Sequence, residues 1–286
     1  MPAEEVADAV SPPLESFLED SNMSEWKWSG LLRNVRDRRP LVECLTNNIT
    51  VNDVANVILA SGASPVMASD PRELEDFVRL AQSVLLNVGS MAPEMDESFR
   101  LAMELSGRLG KPVVLDPVGA GAAKCRTEML LGFLAKYPVA VIRGNASEIR
   151  ALTGEAGQTV GVDAAAGDAV TEETLPARTE MAAALARRHN CVVAMSGAMD
   201  IVTDGSRSLV CRHGVPQMSQ ITGTGCMLTG LTAAFVGANP GNVLEAAYAA
   251  TELMCLCGEE AWAKTRQAGA GLATMRTNLI DGISLA

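Results

Sequence analysis

The sequence predicts one α/β domain with a mostly parallel central sheet flanked by helices, an antiparallel edge hairpin and a helical C-terminal third. The first observation is that short apolar runs alternate with longer amphipathic stretches along the chain. The second is that runs such as residues 83–88 are apolar at nearly consecutive positions, which is typical of strands covered on both faces. The third is size, because 286 residues with 48% hydrophobic content can bury one large core.

The first half of the chain contains strand-like runs separated by helix-like stretches. The predicted strands cover residues 41–45, 65–68, 84–88, 113–116 and 139–142. The predicted helices lie near residues 50–60, 71–81, 93–109 and 125–136. This alternation indicates parallel strands joined by helical crossovers.

The second half begins with a connector rich in Gly, Ala and Asp near residues 154–170. A helix is predicted at 176–189 and a strand at 192–195. Two further runs, 200–203 and 208–212, flank the turn Asp204-Gly205 and predict the antiparallel hairpin. The remaining predicted helices cover 225–236, 242–264 and 269–284.

Negative charge is concentrated at the start of the chain. The formal net charge is -11, and residues 1–26 hold seven Asp or Glu and no Lys or Arg, which leaves about -4 for the remainder. We therefore expect residues 1–26 to form a solvated acidic extension and residues 27–286 to form the domain. The acidic balance is evidence against a nucleic-acid partner, because Lys and Arg hold phosphate backbones.

Several protein classes are disfavoured by residue content. No run of about 18 apolar residues is present, so we predict no membrane span, and the start of the chain lacks the features of a signal peptide. Seven cysteines without CxxC spacing indicate a reducing cytoplasm rather than a disulfide framework or a zinc site. His189 and His213 are predicted to be solvated surface residues, which argues against a His-based metal centre and a Ser-His-Asp triad.

Polar residues follow each predicted parallel strand, where ligands bind in open α/β sheets. Individually they have structural explanations, since Asn and Gly form turns and Asn145 with Glu148 makes a helix capping box. Together they predict a cleft. The segments concerned are Thr46-Asn47-Asn48, Gly89-Ser90, 116–121, 143–148 and Ser196-Gly197.

A glycine-rich turn, Gly223-Thr224-Gly225, runs into a predicted helix at Cys226. Its backbone can approach a ligand closely, and the unpaired N–H groups of the helix N-terminus suit a phosphate. Two nucleotide-binding motifs are not met. Gly110-Lys111 lacks the remainder of a P-loop, and Gly119-Ala-Gly121 completes only half of a dinucleotide fingerprint.

The chain resembles the hydroxyethylthiazole kinase family, which consists of ribokinase-like enzymes of thiamine salvage. The resemblance spans about residues 30 to 280. It implies a ribokinase-like fold and ATP-dependent phosphorylation of the hydroxyl of 4-methyl-5-(2-hydroxyethyl)thiazole. The blocks that carry it are Thr46-Asn47-Asn48, 63–68, 116–121 with Arg126-Thr-Glu128, 142–148 and 222–226.

The resemblance also implies roles for individual residues. Asn47, Met67 and Gly223 would bind the thiazole substrate. The residues implied to bind ATP are Arg126, Asn145, Ser196 and Gly225. Asp116 and Glu148 would hold Mg²⁺, largely through water. The family is a homotrimer with active sites between subunits, so Asn47 and Met67 would complete a neighbour's site.

Cys226 is the candidate catalytic residue, because many related kinases carry an aspartate base at this position. A helix N-terminus lowers the pKa of a thiol, whereas an adjacent γ-phosphate raises it. If the transition state is loose, base strength contributes little and Cys226 acts by position. Both interpretations stay open at the level of sequence.

Other functions remain as alternatives. A hydroxymethylpyrimidine or pyridoxal kinase shares the ribokinase-like fold and the chemistry. An ADP- or ATP-dependent NAD(P)HX dehydratase shares the fold but carries an acid where this chain has Cys226. A non-catalytic nucleotide-binding regulator, docked through its acidic N-terminus, is disfavoured by the complete set of site residues.

Overall fold

The computed structural model describes residues 26–90, 93–154 and 170–286. Residues 1–25 of the predicted extension and nearly all of the predicted connector near 154–170 lie outside them. Trp26, which the sequence analysis placed in the extension, is only 2% exposed, and its indole N–H donates to Glu252 Oε2 at 2.6 Å. The packed part of the described chain therefore includes Trp26.

Helices and strands alternate through most of the described residues. The strands are β1 (Leu41–Leu45), β2 (Ser64–Val66), β3 (Ser83–Asn87), β4 (Val113–Asp116), β5 (Val141–Asn145), β6 (Val192–Ser196), β7 (Asp200–Thr203) and β8 (Ser208–Cys211). The helices are α1 (Ser29–Arg38), α2 (Val51–Ala60), α3 (Leu74–Leu80), α4 (Pro93–Leu109), α5 (Lys124–Lys136), α6 (Ala146–Thr153), α7 (Leu175–His189), α8 (Thr224–Ala238), α9 (Val243–Gln267) and α10 (Leu272–Leu285). A 3₁₀ turn covers Pro216–Gln220.

The strands form one sheet in the order β2-β1-β3-β4-β5-β6-β7-β8. The first six strands are parallel, and β7 and β8 are added antiparallel at the edge. The predicted parallel sheet and its antiparallel edge hairpin are thus confirmed. None of the helices in the described part of the chain is long and apolar enough to cross a membrane.

Helices cover both faces of the sheet and create two core layers. Val114 of β4 belongs to the layer under α1, α2, α8, α9 and α10. Its neighbours Val113 and Leu115 belong to the layer under α3 to α7. Because adjacent strand residues point to opposite faces, a strand with both faces covered must be apolar at every position. This explains the continuous apolar runs in the sequence.

Each predicted strand and helix has a counterpart in the structure, and several of them have shifted ends. The largest consequence is at β5, which was predicted to end at residue 142 but runs to Asn145. Helix α6 then begins at once, with Asn145 and Glu148 forming the predicted capping box. Helix α1 was missed, because only Leu32 and Val35 of its side chains are buried and several arginines interrupt its apolar pattern.

Candidate active site

The candidate site lies where the order of the strands reverses. Strand β2 is on one side of β1, whereas β3 and all later strands are on the other. In open α/β sheets such a reversal leaves a crevice at the carboxyl ends of the two central strands. Asn47 follows β1, Asn87 ends β3, and Cys226 in the first turn of α8 contacts both of them.

The Cys226 sulfur accepts two hydrogen bonds from amide groups. Asn47 Nδ2 donates to Sγ at 3.3 Å and Asn87 Nδ2 at 3.2 Å. Asn47 Nδ2 also donates to Asn87 Oδ1 at 3.1 Å, and Asn47 Oδ1 accepts from the backbone N–H groups of Ile49 and Thr50. The thiol is therefore held in a fixed position by side chains from two strand ends.

The surroundings of Cys226 favour a neutral thiol. Burial raises the pKa of Cys226, and the nearby charge of Asp116 raises it further, while neighbouring hydrogen bonds lower it in part. The helix N-terminus would lower the pKa of the thiol, but desolvation and the carboxylate of Asp116 oppose that effect. This geometry supports a positioning role for Cys226 more than a role as a base.

Asp116 ends β4 beside this group. Its Oδ2 accepts from Asn87 Nδ2 at 2.8 Å and from Thr229 Oγ1 of α8 at 2.7 Å. Its Oδ1 is buried and has no hydrogen-bond partner among the described residues. Burial raises the pKa of Asp116 above its ordinary value, while the charge of Arg143 lowers it in part. A buried carboxylate oxygen without a partner suits a hard cation.

Glu148 supports the neighbouring turn and shares the same electrostatic environment. Its Oε1 accepts from Gly119 N at 2.9 Å and its Oε2 from Asn145 N at 2.8 Å. Burial, and then the charge of Asp116, raises the pKa of Glu148 to about 7. Both oxygens already accept a backbone bond, so Glu148 fits the predicted contact to a cation through water.

Arg143 is a functional candidate to which the sequence analysis gave no role of its own, although it begins the predicted cleft segment 143–148. It lies in the middle of β5, is 8% exposed, and its Nη2 donates to Ser196 Oγ at 2.8 Å. Its Nη1 lies under the glycine turn, since a Cβ on Gly225 would come within 2.7 Å of it. A charged residue inside an otherwise apolar strand run was the signal that could have identified it.

A cavity of about 460 Å³ opens beside the glycine turn. Ser196, Arg143, Asn145 and Gly225 give it a polar end, which brings together three of the predicted ATP residues. Its apolar wall includes Val215, Met218, Leu228 and Met254. A pocket with one polar end and an apolar wall suits a nucleotide, whose phosphates and base differ in the same way.

His213 also lines this cavity, so its prediction as a solvated surface residue is wrong. Its side chain is 25% exposed and its Nδ1 lies 3.5 Å from Glu259 Oε1. The hydrogen bond with Glu259 raises the pKa of His213 above its ordinary value. His189 is half-buried as well, with Nδ1 3.2 Å from the carbonyl oxygen of Leu134.

Gly223 needs the conformation that only glycine adopts easily. Its φ is +91°, and a Cβ at this position would lie 2.6 Å from Thr50 Cγ2. The turn therefore brings the N-terminus of α8 directly against the segment that follows β1. This places the N–H groups of α8 and Cys226 at the crevice, as the predicted anion site requires.

Two predicted residues lie at the margins of the site. Arg126, at the start of α5, donates from Nη1 to Val118 O at 2.7 Å and is not among the residues lining the cavity. Its Nε is buried without a partner among the described residues. Met67 follows the edge strand β2 and packs in part against the core layer under α8.

Comparisons with known proteins find similar sequences along most of the chain. The model of the hydroxyethylthiazole kinase family matches residues 32–285. A relative called hydroxyethylthiazole kinase in Clostridium acetobutylicum is 41% identical over 252 residues, which cover 88% of this chain and 92% of the relative. A relative of the same name in Methanobrevibacter smithii is 36% identical and covers 88% of this chain and 89% of the relative.

Solved structures show the same similarity. The structure of a hydroxyethylthiazole kinase protein from Pyrococcus horikoshii matches with a TM-score of 0.79 at 37% identity, covering 89% of this chain and 91% of that one. A ribokinase-like superfamily protein from Enterococcus faecalis matches with a TM-score of 0.60 at 15% identity, covering 88% of each chain. At that identity the likeness concerns the fold, which is ribokinase-like as predicted.

Proposed function

The chain belongs to the hydroxyethylthiazole kinase family, and we propose that it transfers the γ-phosphoryl group of ATP to the hydroxyl of 4-methyl-5-(2-hydroxyethyl)thiazole in thiamine biosynthesis or salvage. The observation that carries this proposal is the placement of Cys226, Asp116 and the N-terminus of α8 beside a cavity with Arg143 in its wall. The 41% identity to a relative called hydroxyethylthiazole kinase supports the choice of substrate.

Phosphoryl transfer asks the protein mainly to align donor and acceptor and to neutralise charge on the transferring oxygens. The N–H groups from Gly223 to Cys226 suit the γ-phosphate, and the Arg143 guanidinium beneath Gly225 adds a fixed positive charge. Ser196 Oγ, held by Arg143, offers a hydroxyl at the same end of the cavity. Asn145 and Gly225 complete the proposed ATP contacts.

The proposed Mg²⁺ would be held by Asp116 through its unpartnered Oδ1 and by Glu148 through water. The ion would supply charge neutralisation at the phosphate oxygens. The protein's own part is to keep these carboxylates in place. Asn87 and Thr229 fix Asp116 through its Oδ2, and the backbone N–H groups of Gly119 and Asn145 fix Glu148.

The acceptor hydroxyl is proposed to lie at Cys226, with Asn47 and Gly223 beside it and Met67 contributing to the thiazole pocket. The raised pKa of Cys226 disfavours a thiolate base, and a loose transition state, in which the hydroxyl keeps its proton until late, needs none. The site then works through alignment by Asn47, Asn87 and Cys226. Arg126 remains a proposed second cation for the phosphates, next to the loop that carries Gly119.

We also propose that the enzyme is a homotrimer with active sites between subunits. Met67 follows the edge strand β2 and is only partly buried, which is compatible with a pocket completed across an interface. Sedimentation equilibrium that returns the mass of a monomer would contradict this. The seven free cysteines favour the cytoplasm as its location.

A substrate screen tests the function directly. Purified protein is assayed by coupled ADP release with ATP, Mg²⁺ and one of three alcohols: the thiazole alcohol, hydroxymethylpyrimidine or pyridoxal. We expect kcat/KM to be highest for the thiazole alcohol by a factor of about ten or more. Turnover of pyridoxal or the pyrimidine in preference to the thiazole alcohol, or no turnover at all, would exclude the proposed activity.

A further inference from the structure

A second group of donor atoms lies next to the same cavity, which Asp200 and Cys255 line. One ligand atom each from Asp200, Cys211 and Cys255 lies within 4.8 Å of the other two. All three residues are buried, at 7%, 0% and 6% exposure. We call them the dithiol-carboxylate cluster. The proposed phosphoryl transfer requires none of these groups.

The fold places the cluster on rigid elements. Asp200 at the start of β7 and Cys211 at the end of β8 are direct cross-strand partners. Residues opposite each other in an antiparallel pair point to the same face. Cys255 comes from α9, which packs on that face of the sheet. The three ligand atoms are therefore brought together by backbone structure and not by a flexible loop.

The separations within the cluster suit a metal ion. Cys255 Sγ donates to Asp200 Oδ2 at 3.2 Å, and the other carboxylate oxygen accepts from Gly197 N at 3.0 Å. In a tetrahedral zinc site with ordinary bond lengths, oxygen and sulfur ligands are about 3.5 Å apart. A small movement is enough to replace the shared thiol proton by a cation, while the bond from Gly197 continues to orient the carboxylate.

The chemistry of the donors selects the class of metal. Two thiols and one carboxylate form a soft set that prefers Zn²⁺ or Cd²⁺ to Mg²⁺. Arg143 lies close enough to Asp200 to interact with its charge. Its positive charge weakens purely electrostatic binding of a hard cation, whereas bonds to thiolates depend less on net charge. The cluster therefore prefers a different class of cation from the one that suits Asp116 and Glu148.

We propose that Asp200, Cys211 and Cys255 form a binding site for one thiophilic divalent cation of the zinc class, with its open coordination position toward the cavity. Asp200 and Cys255 both line that cavity. On binding, the two thiols give their protons to solvent and coordinate as thiolates, so three negative ligand charges meet a dication. The proposed function requires that the cavity holds ATP. The metal, with the ligand in its open coordination position, reduces the space available to ATP. ATP and the metal therefore bind antagonistically.

Cadmium titration of the full-length protein tests the site without using activity. The protein is stripped of metal, kept reduced with a phosphine in place of a thiol, and titrated with Cd²⁺ while the ultraviolet thiolate-to-cadmium charge-transfer band is followed. We expect saturation at one equivalent for this site. A large excess of Zn²⁺ should compete with Cd²⁺ and reduce the band, whereas the same excess of Mg²⁺ should not.

Variants assign the ligands. Cys211→Ser and Cys255→Ser should each lose about half of the band and weaken Cd²⁺ binding by roughly tenfold or more. Asp200→Asn keeps the shape of the side chain. It should weaken Cd²⁺ binding, while the band from the two thiolates is still reached at saturation. This variant tests the site even where a cysteine variant fails to fold. Cys125→Ser is the control, because Cys125 is exposed and lies on another helix. It should leave the affinity and the band unchanged.

The outcomes are separable. No stoichiometric band in the wild-type protein, or a full band in both Cys211→Ser and Cys255→Ser, overturns the metal site. A normal titration in which a non-hydrolysable ATP analogue binds equally well with and without Cd²⁺ overturns only the antagonism. Failure of the analogue to bind in either condition counts against the proposed kinase function and leaves the metal site intact.

Discussion

At the scale of single residues, Cys226 is defined by its neighbours more than by its own chemistry. Two amide N–H groups point at its sulfur, and a buried carboxylate lies beyond them. A base would need a thiolate here, and the surroundings raise the pKa of the thiol. The same surroundings fix the position of a small polarizable atom. Alignment of the acceptor is therefore the role that the geometry favours.

The variant Cys226→Ser distinguishes alignment from base catalysis. The hydroxyl accepts the same two amide hydrogen bonds in a slightly smaller volume, so we expect kcat to fall by about tenfold or less, equivalent to about 1.4 kcal/mol. KM for the thiazole alcohol should change little. Steady-state kinetics across pH provide the measurement. A loss of about a thousandfold, with disappearance of a limb of the pH profile, would show that Cys226 acts as a base.

Arg143 and Arg126 are expected to contribute differently to ATP use. Arg143→Lys keeps the charge but loses the fork that reaches Ser196 and the glycine turn, so we expect kcat/KM for ATP to fall by about a hundredfold. Arg126→Ala, farther from the cavity, should reduce it by about tenfold. Arg100→Lys on the exposed face of α4 serves as the control. Normal turnover in Arg126→Ala would remove Arg126 from the phosphate site.

At the scale of elements, the site depends on how strands end and helices begin. Strand β5 passes directly into α6 through the capping box of Asn145 and Glu148. The same Glu148 side chain bonds Gly119 of the loop after β4. One side chain thus caps a helix and positions the loop beside Asp116. This arrangement confirms the capping box and is compatible with the proposed functional role of the motif.

The glycine turn before α8 offers a test at this scale. Gly223→Ala forces a side chain into a left-handed backbone at φ +91° and against Thr50, so the N-terminus of α8 must shift. We expect kcat/KM to fall at least tenfold and the free energy of unfolding to fall by about 1–3 kcal/mol. Activity assays and chemical denaturation measure the two effects.

Gly132→Ala is the matched control for that variant. Gly132 lies inside α5, where an added Cβ meets no atom within 4 Å. There the substitution should leave activity unchanged and stabilise the protein by roughly 0.5–1 kcal/mol. Equal activity of the Gly223 variant and this control would show that the turn does not position the site.

At the scale of the whole molecule, the sheet encloses a carboxylate that influences global stability. Glu43 lies in β1 with no exposed surface, and neither of its side-chain oxygens has a partner among the described residues. Burial, and then the charge of Glu73, raises the pKa of Glu43 to about 8. The folded protein therefore holds this group protonated at neutral pH, whereas the unfolded chain ionises it near its ordinary value of 4.5.

This difference predicts a pH dependence with a defined sign. Between pH 4.5 and 8 the unfolded state binds fewer protons at this group, so its contribution to stability falls as pH rises and levels off above about 8. Glu43→Gln should remove this pH dependence. Between pH 5 and 8 its free energy of unfolding should exceed that of the wild-type protein by roughly 1–3 kcal/mol. Thermal unfolding at fixed protein concentration measures it. The exposed-site variant Glu128→Gln should keep the wild-type slope, and an unchanged slope in Glu43→Gln would contradict the buried neutral state.

The sequence predicted the elements well and the residues of the site unevenly. Asp116, Asn145, Glu148 and Ser196 were found because they follow apolar runs at strand ends. Asn87 was not proposed as a site residue because the predicted strand 84–88 included it, and Arg143 entered only as part of the segment 143–148, without a role of its own. Only the contacts with Cys226 and with the glycine turn bring these two residues into the candidate site.

The sequence by itself determined the order of strands and helices, the parallel sheet and the family, because each depends on local periodicity or on motifs read along the chain. The tertiary structure decided which side chains meet. Asn47, Asn87, Asp116 and Cys226 come together only because the strand order reverses between β1 and β3 and α8 returns over that point. It also decided the direction in which the pKa values of Cys226 and Glu43 are shifted, since desolvation depends on everything that packs around a group.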